Sequence, residues 1–156
     1  MNPEDSEIYS AALALRPLDS ELCLQLADAL AARRQTTKAI YYYQLVLMTR
    51  PDDAWVLIQL AKALRIEKET DQAIACCRRA IILASDRGAY HRLLGDLLAD
   101  NGSFEEAITA YRRASELEPM NAELAKTIGD SFAQLGRIDE AGGAYQRAIE
   151  LGYKNY

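Results

Sequence analysis

The chain has 156 residues, 50% of them apolar and 26% charged, a composition that excludes a wholly disordered chain. Eighteen Lys and Arg residues against 23 Asp and Glu residues give a net charge of −5, which disfavours binding to nucleic acid or to an anionic membrane. No apolar run approaches the roughly 20 residues of a spanning helix, and three cysteines do not make a disulfide framework. We therefore expect a cytoplasmic protein that does not insert into membranes.

In chain order, residues 1–19 come first and predict one lone helix at about residues 3–16. The rest of the chain repeats itself every 34 residues without an insertion. The four repeats are segments 20–53, 54–87, 88–121 and 122–155. We therefore expect about nine helices, which are a lone half repeat followed by four helix pairs, together forming one domain.

Each segment contains two apolar faces with helical spacing. The seventh and eleventh places, such as Leu26 and Leu30, lie four residues apart and share one face of a first helix. The twentieth, twenty-fourth and twenty-seventh places share one face of a second helix. The twentieth place is alanine in all four segments: Ala39, Ala73, Ala107 and Ala141. Small residues at the eighth and twentieth places predict two antiparallel helices that approach closely.

These columns resemble the tetratricopeptide repeat, which has the same period and a related pattern of small, aromatic and proline residues. The third segment matches the pattern best, with Leu94-Gly95-x-x-Leu98, Ala107-x3-Tyr111 and Pro119. The resemblance implies an all-α fold, a right-handed α-solenoid of stacked antiparallel helix pairs. It also implies that the first helices line a concave groove and that the second helices form the convex side.

By the resemblance, the second, fifth, ninth and twelfth places of each first helix face the groove. We predict that a partner contacts residues at these places: Leu24, Asp28, Trp55, Ile58, Lys62, Arg65, Arg92, Asp96, Lys126 and Asp130. Trp55 is the only tryptophan, and tryptophan often anchors a partner at an interface. The equally weighted alternative is that Trp55 packs between repeats, in place of an aromatic residue absent from the fourth place.

Charge patterning narrows the expected partner. The second segment has six basic residues against four acidic ones, whereas the third has three against six. Basic residues around Trp55 and Ile58 predict a protein or peptide partner with acidic and hydrophobic side chains. Co-chaperones of the family hold a terminal carboxylate with asparagines at the ninth place. Here Asp28, Lys62, Asp96 and Asp130 stand at that place, so this ligand class is disfavoured.

Catalytic and metal-binding patterns are weak. The single histidine, His91, stands in a packing column, and Cys76-Cys77 and Cys23 lack the spacing of metal ligands. Glu105 and Glu106 fall at the start of a helix, where negative charge favours the helix dipole. We predict no enzyme activity, no metal and no cofactor.

The sequence therefore predicts a non-enzymatic protein–protein interaction module, an adaptor or scaffold that binds a peptide or partner segment in its groove. Two alternatives stay open: a regulatory or substrate-docking segment of a larger multidomain enzyme, and a helical-repeat RNA binder, which the acidity disfavours. Gly142-Gly143 should weaken the last helix. Without a capping helix after it, we expect an exposed apolar C-terminal edge, which implies a longer array or self-association.

Overall fold

The computed structural model describes residues 19–153, and within them it contains eight α-helices and no β-strand. The helices are α1 (Ser20–Ala32), α2 (Thr36–Thr49), α3 (Ala54–Ile66), α4 (Thr70–Leu83), α5 (Gly88–Asp100), α6 (Phe104–Leu117), α7 (Ala122–Gln134) and α8 (Ile138–Glu150). The predicted all-α fold is confirmed. The lone helix expected at about residues 3–16 falls outside the described residues.

The described residues divide into two compact units, one ending at Leu83 and the other beginning at Ala84. In the first unit α1 packs against α2, α2 against α3, and α3 against α4. In the second unit α5 packs against α6, α6 against α7, and α7 against α8. Each unit is therefore built from two antiparallel helix pairs that share one packed boundary.

Side-chain caps start three of the first helices. Asp19 and Asp53 accept hydrogen bonds from backbone amides in the first turns of α1 and α3, and Asn121 does the same for α7. These bonds satisfy donors that a helix leaves unpaired at its N-terminus. At the corresponding position before α5 stands Arg87, whose side chain makes no capping bond.

A residue in the left-handed conformation follows each first helix. Glycine takes this conformation in the second unit, at Gly102 with φ 77° and Gly136 with φ 70°. In the first unit the same place is occupied by Arg34 and Lys68, with φ 58° and 64°. A left-handed residue closes the helix by allowing a backbone bond back to its last turn, and non-glycine residues adopt it at a cost.

The alanine at the twentieth place is buried in all four segments, at most 3% exposed, which confirms the predicted close packing of each pair. The expected core column at the seventh place is buried in the first unit, at Leu26 and Leu60. Its equivalents in the second unit, Leu94 and Ile128, are only half-buried. On α5, Leu93 is buried whereas Leu94 beside it is half-buried.

Candidate functional site

The ten predicted partner-contact residues all lie on first helices. Leu24 and Asp28 are on α1, and Trp55, Ile58, Lys62 and Arg65 are on α3. Arg92 and Asp96 are on α5, and Lys126 and Asp130 are on α7. The first six belong to the first unit and the last four to the second, and we describe the two sets separately.

On α3, Trp55 is 44% exposed and Lys62 is exposed as well. The two side chains lie seven residues apart, two turns along one face of the helix. Lys62 has no ion pair among residues 19–153. Ile58 is only 4% exposed, which corrects the expectation that its side chain offers surface to a partner. Leu24 and Arg65 are half-buried.

All three predicted aspartates accept a hydrogen bond from a tyrosine on the paired second helix. The hydroxyl group of Tyr43 donates to Asp28 at 2.7 Å, that of Tyr111 to Asp96 at 2.9 Å, and that of Tyr145 to Asp130 at 3.0 Å. The two residues of each pair are 15 positions apart. Each bond joins the first helix of a pair to the second, so these aspartates have a structural role.

Burial of the Tyr43 ring and its bond to Asp28 raise the pKa of Tyr43 well above its ordinary value. For Tyr145, burial and the bond to Asp130 raise the pKa in the same way. In both pairs the phenol proton is retained to higher pH, because burial disfavours a charged ring and the neighbouring carboxylate disfavours a second negative charge.

The second segment lacks this pair, since Lys62 stands at the ninth place and Cys77 at the twenty-fourth. Wherever the twenty-fourth place is tyrosine, the ninth is aspartate, and the two change together. We did not predict the bond, although this joint change was a signal for it in the sequence. Lys62 therefore stands at the place where each of the other three segments carries an aspartate bonded to a tyrosine.

In the second unit, two ion pairs occupy the predicted residues. The Nζ atom of Lys126 lies 2.6 Å from an oxygen of Asp130, and this bond raises the pKa of Lys126. A guanidinium nitrogen of Arg92 on α5 lies 3.9 Å from Glu123 on α7. The second contact shows that the fifth place of one first helix approaches the second place of the next.

A pocket of about 320 Å³ adjoins the Lys126–Asp130 pair. The lining residues come from α7, α8 and the segment after it: Lys126, Asp130, Tyr145, Ala148, Ile149 and Tyr153. Ile149 is 63% exposed. The pocket therefore combines a neutralised ion pair with apolar side chains, which suits an uncharged or weakly polar group better than an ion.

The cysteines and the histidine that were considered for metal binding or catalysis are buried, half-buried or bonded within the fold. Cys77 is buried, Cys76 is half-buried, and burial raises the pKa of the Cys76 thiol. The Nε2 atom of His91 lies 3.0 Å from the carbonyl oxygen of Ser85. In the described part of the chain, no cluster of three or more His, Cys, Asp and Glu residues could hold a metal. Nor does any helix there have both the length and the apolarity to cross a bilayer.

Two family models match most of the repeated region. Family models described as tetratricopeptide repeat match residues 30–97 and residues 92–155, so together they span residues 30–155. The chain is a tetratricopeptide-repeat protein. Proteins of this family serve as scaffolds for protein–protein interaction and are generally not enzymes.

Solved tetratricopeptide-repeat structures share the fold at low sequence identity. A crystal structure of MamA is 23% identical, with a TM-score of 0.90 over 94% of this chain and 85% of that chain. MamA from Desulfovibrio magneticus RS-1 is 19% identical, with a TM-score of 0.88 over 94% and 82%. YrrB, a tetratricopeptide-repeat protein with an unusual peptide-binding site, is 19% identical, with a TM-score of 0.78 over 94% and 76%. No curated protein matches this chain.

Proposed function

We propose that this tetratricopeptide-repeat protein is an adaptor or scaffold, and that its first helices bind an extended or helical peptide segment of a partner protein. The preferred segment carries acidic side chains next to hydrophobic ones. The observation that carries this proposal is the face of α3, where the exposed Trp55 and the exposed Lys62 lie two turns apart.

The chemistry of this face supports a mixed ligand. A half-exposed indole ring offers a large apolar surface at little cost in conformational entropy, and such rings dominate many interfaces. An ammonium group such as that of Lys62, which has no ion pair within residues 19–153, can pair with a carboxylate of the ligand without first breaking an ion pair there. Leu24 on α1 and Arg65 on α3 extend the proposed surface. Asp28 on α1 also belongs to it, and the hydrogen bond from Tyr43 fixes the position of its carboxylate.

In the second unit, we propose that Arg92, Asp96, Lys126 and Asp130 contact the partner less strongly. Lys126 and Arg92 already face the carboxylates of Asp130 and Glu123. A ligand has to compete with those groups, so these residues contribute to selectivity more than to affinity. We also propose that the four segments act as one cytoplasmic domain without enzyme activity, and that self-association uses the α8 face around the exposed Ile149.

Selection from a random peptide library displayed on phage tests the main proposal without a known partner. We expect the full chain to enrich peptides that combine Asp or Glu with Leu, Phe or Trp. Trp55→Ala should abolish this enrichment, whereas Tyr41→Ala, which removes an aromatic side chain that is 56% exposed on a second helix, should not. Equal enrichment by both variants would place the binding surface elsewhere, and selection of no peptide would contradict the proposal.

A further inference from the structure

A second pocket of about 320 Å³ opens between α6, α7 and α8. Its floor is apolar and is formed by Ala125, Ile128 and Phe132 of α7 with Ala144 of α8. Its rim is polar: Arg112 and Ser115 of α6, with Glu140 and Arg147 of α8. None of the ten predicted partner-contact residues lines this pocket, so it is separate from the surface proposed above.

The pocket exists because three places of the repeat carry small side chains in the second unit. Ser115, Ala125 and Ala144 stand where the first unit has Leu47, Leu57 and Cys76. Leu57 is 2% exposed, so a leucine at this place packs completely between its neighbouring helices. The loss of side-chain volume at three neighbouring places leaves space that the fold itself does not require.

The arginine on the rim is also held differently in the two units. In the first unit, Arg79 donates to the carbonyl oxygen of Pro51 at 2.6 Å and to Asp52 at 3.2 Å. In the second unit, Arg147 occupies the place of Arg79, and Met120 occupies the place of Asp52. Arg147 instead lies 3.6 Å from Glu150 on its own helix, and both side chains are more than half exposed. An exposed pair of this kind contributes little stability, so Arg147 can turn to another anion at low cost.

The charged residues that line the pocket leave an excess of one cation. The guanidinium groups of Arg112 and Arg137 lie 5.5 Å and 4.9 Å from the centre of the Phe132 ring. Arg137 also donates through Nε to Glu140 at 2.7 Å. Of the charged residues that line the pocket, two arginines, Arg112 and Arg147, stand against one glutamate, Glu140. A single negative charge on a ligand balances this set, whereas a phosphate dianion exceeds it.

We propose that this pocket binds a small carboxylate with an apolar body, placed so that the apolar group covers Ala125 and Ala144 and the carboxylate meets Arg112 and Arg147. The volume lies at the lower end of the range of small-molecule sites. Planar guanidinium groups match the geometry of a carboxylate. The occupant is a free small acid, and an acidic side chain of a partner protein is the competing source.

Titration of the isotope-labelled full chain with 3-phenylpropionate, followed by nuclear magnetic resonance, tests this proposal. We expect binding at about millimolar concentration, as for other fragments of this size, with shifts confined to amides around Ala125, Ile128 and Ala144. The uncharged 3-phenylpropanamide should bind about tenfold more weakly, because it cannot make charge-assisted hydrogen bonds.

The test uses variants that carry the residues found at the equivalent places of the first unit. Ala125→Leu and Ser115→Leu copy Leu57 and Leu47, so both should fold. Each should abolish binding, Ala125→Leu by filling the floor and Ser115→Leu by closing the rim. Arg112→Gln copies Gln44 and should reduce binding of the acid to that of the amide. The matched control is Arg113→Gln, because Arg113 pairs with Glu116 and does not line the pocket.

Three results would overturn the proposal: equal affinity for acid and amide, unchanged binding by both filled-pocket variants, or no localised shift at about 10 mM of the acid, roughly ten times the expected dissociation constant. Loss of peptide enrichment by Ala125→Leu without binding of the acid would assign the pocket to a protein side chain instead. Because Trp55 does not line the pocket, the outcome is independent of the peptide selection with Trp55→Ala.

Discussion

Three tyrosines, Tyr43, Tyr111 and Tyr145, link a second helix to the first helix of the same pair through one hydroxyl group each. The same rings explain the small residue beside the aspartate. A Cβ atom added to Gly95 would lie 2.4 Å from the ring of Tyr111, and one added to Gly129 would lie 2.6 Å from that of Tyr145. In the second unit, glycine at the eighth place therefore leaves room for the tyrosine ring at the twenty-fourth, whereas the first segment has Ala27 and Tyr43 at these places.

Two glycine-to-alanine substitutions should have opposite effects on stability. Gly95→Ala forces the buried Tyr111 ring to move and should lower the free energy of unfolding by about 1–3 kcal/mol. Gly142→Ala adds a methyl group inside α8, where no group beyond the adjacent residues and the helix backbone lies within 4 Å, and should raise the free energy of unfolding by about 1 kcal/mol. Urea unfolding of both variants measures the two changes. No destabilisation by Gly95→Ala would show that the packing described around Tyr111 is wrong, and destabilisation by Gly142→Ala would contradict the open surroundings of Gly142.

The raised pKa of Tyr43 predicts a loss of stability at alkaline pH. The folded chain keeps the phenol proton at a pH where the unfolded chain has lost it, so this stabilisation is complete below about pH 10 and decreases as pH rises further. The expected slope is about 1.4 kcal/mol per pH unit. Unfolding between about pH 8 and 11 should show a shallower decrease for Tyr43→Phe. Tyr41→Phe, at an exposed ring, should behave as the wild type; if Tyr43→Phe does too, the titrating group lies elsewhere.

At the scale of the helices, sequence periodicity was sufficient to predict where the elements lie. Apolar spacing, the buried alanines and the prolines after α2 and α6 indicated each pair, because they depend only on neighbours within one helix. The bond between Asp96 and Tyr111 was not predicted, because it joins residues 15 apart whose contact depends on how two helices pack. The pocket at Ala125 was missed for a similar reason, since it depends on the combined volume of side chains from three helices.

A capping residue added before α5 should stabilise the fold. Arg87 has φ −94° and ψ 98°, close to the φ −84° and ψ 96° of the capping residue Asp53. Arg87→Asp should therefore place a carboxylate next to the amides of the first turn and raise the free energy of unfolding by about 1 kcal/mol. Asp53→Ala should lower it by a similar amount. An unchanged or lower stability for Arg87→Asp in thermal unfolding would contradict the assigned backbone geometry.

At the scale of the whole molecule, the net charge of −5 hides differences between equivalent positions. The ninth place is aspartate in three segments, each bonded to a tyrosine, and lysine in the second segment. The family could be predicted from the sequence because its pattern recurs four times. The exposure of Trp55 and the burial of Ile58 could not, because both depend on packing outside the helix that carries them.

Charge reversal at Lys62 tests the central claim most directly. Peptide selection should be performed in parallel with the wild-type chain and with Lys62→Glu, after circular dichroism has shown equal helicity. We predict that the wild type enriches acidic peptides with hydrophobic residues, and that Lys62→Glu enriches basic peptides with hydrophobic residues. Enrichment of the same acidic peptides by both chains would contradict the proposed peptide binding, because the ligand would then not contact the face of α3 that carries Trp55 and Lys62.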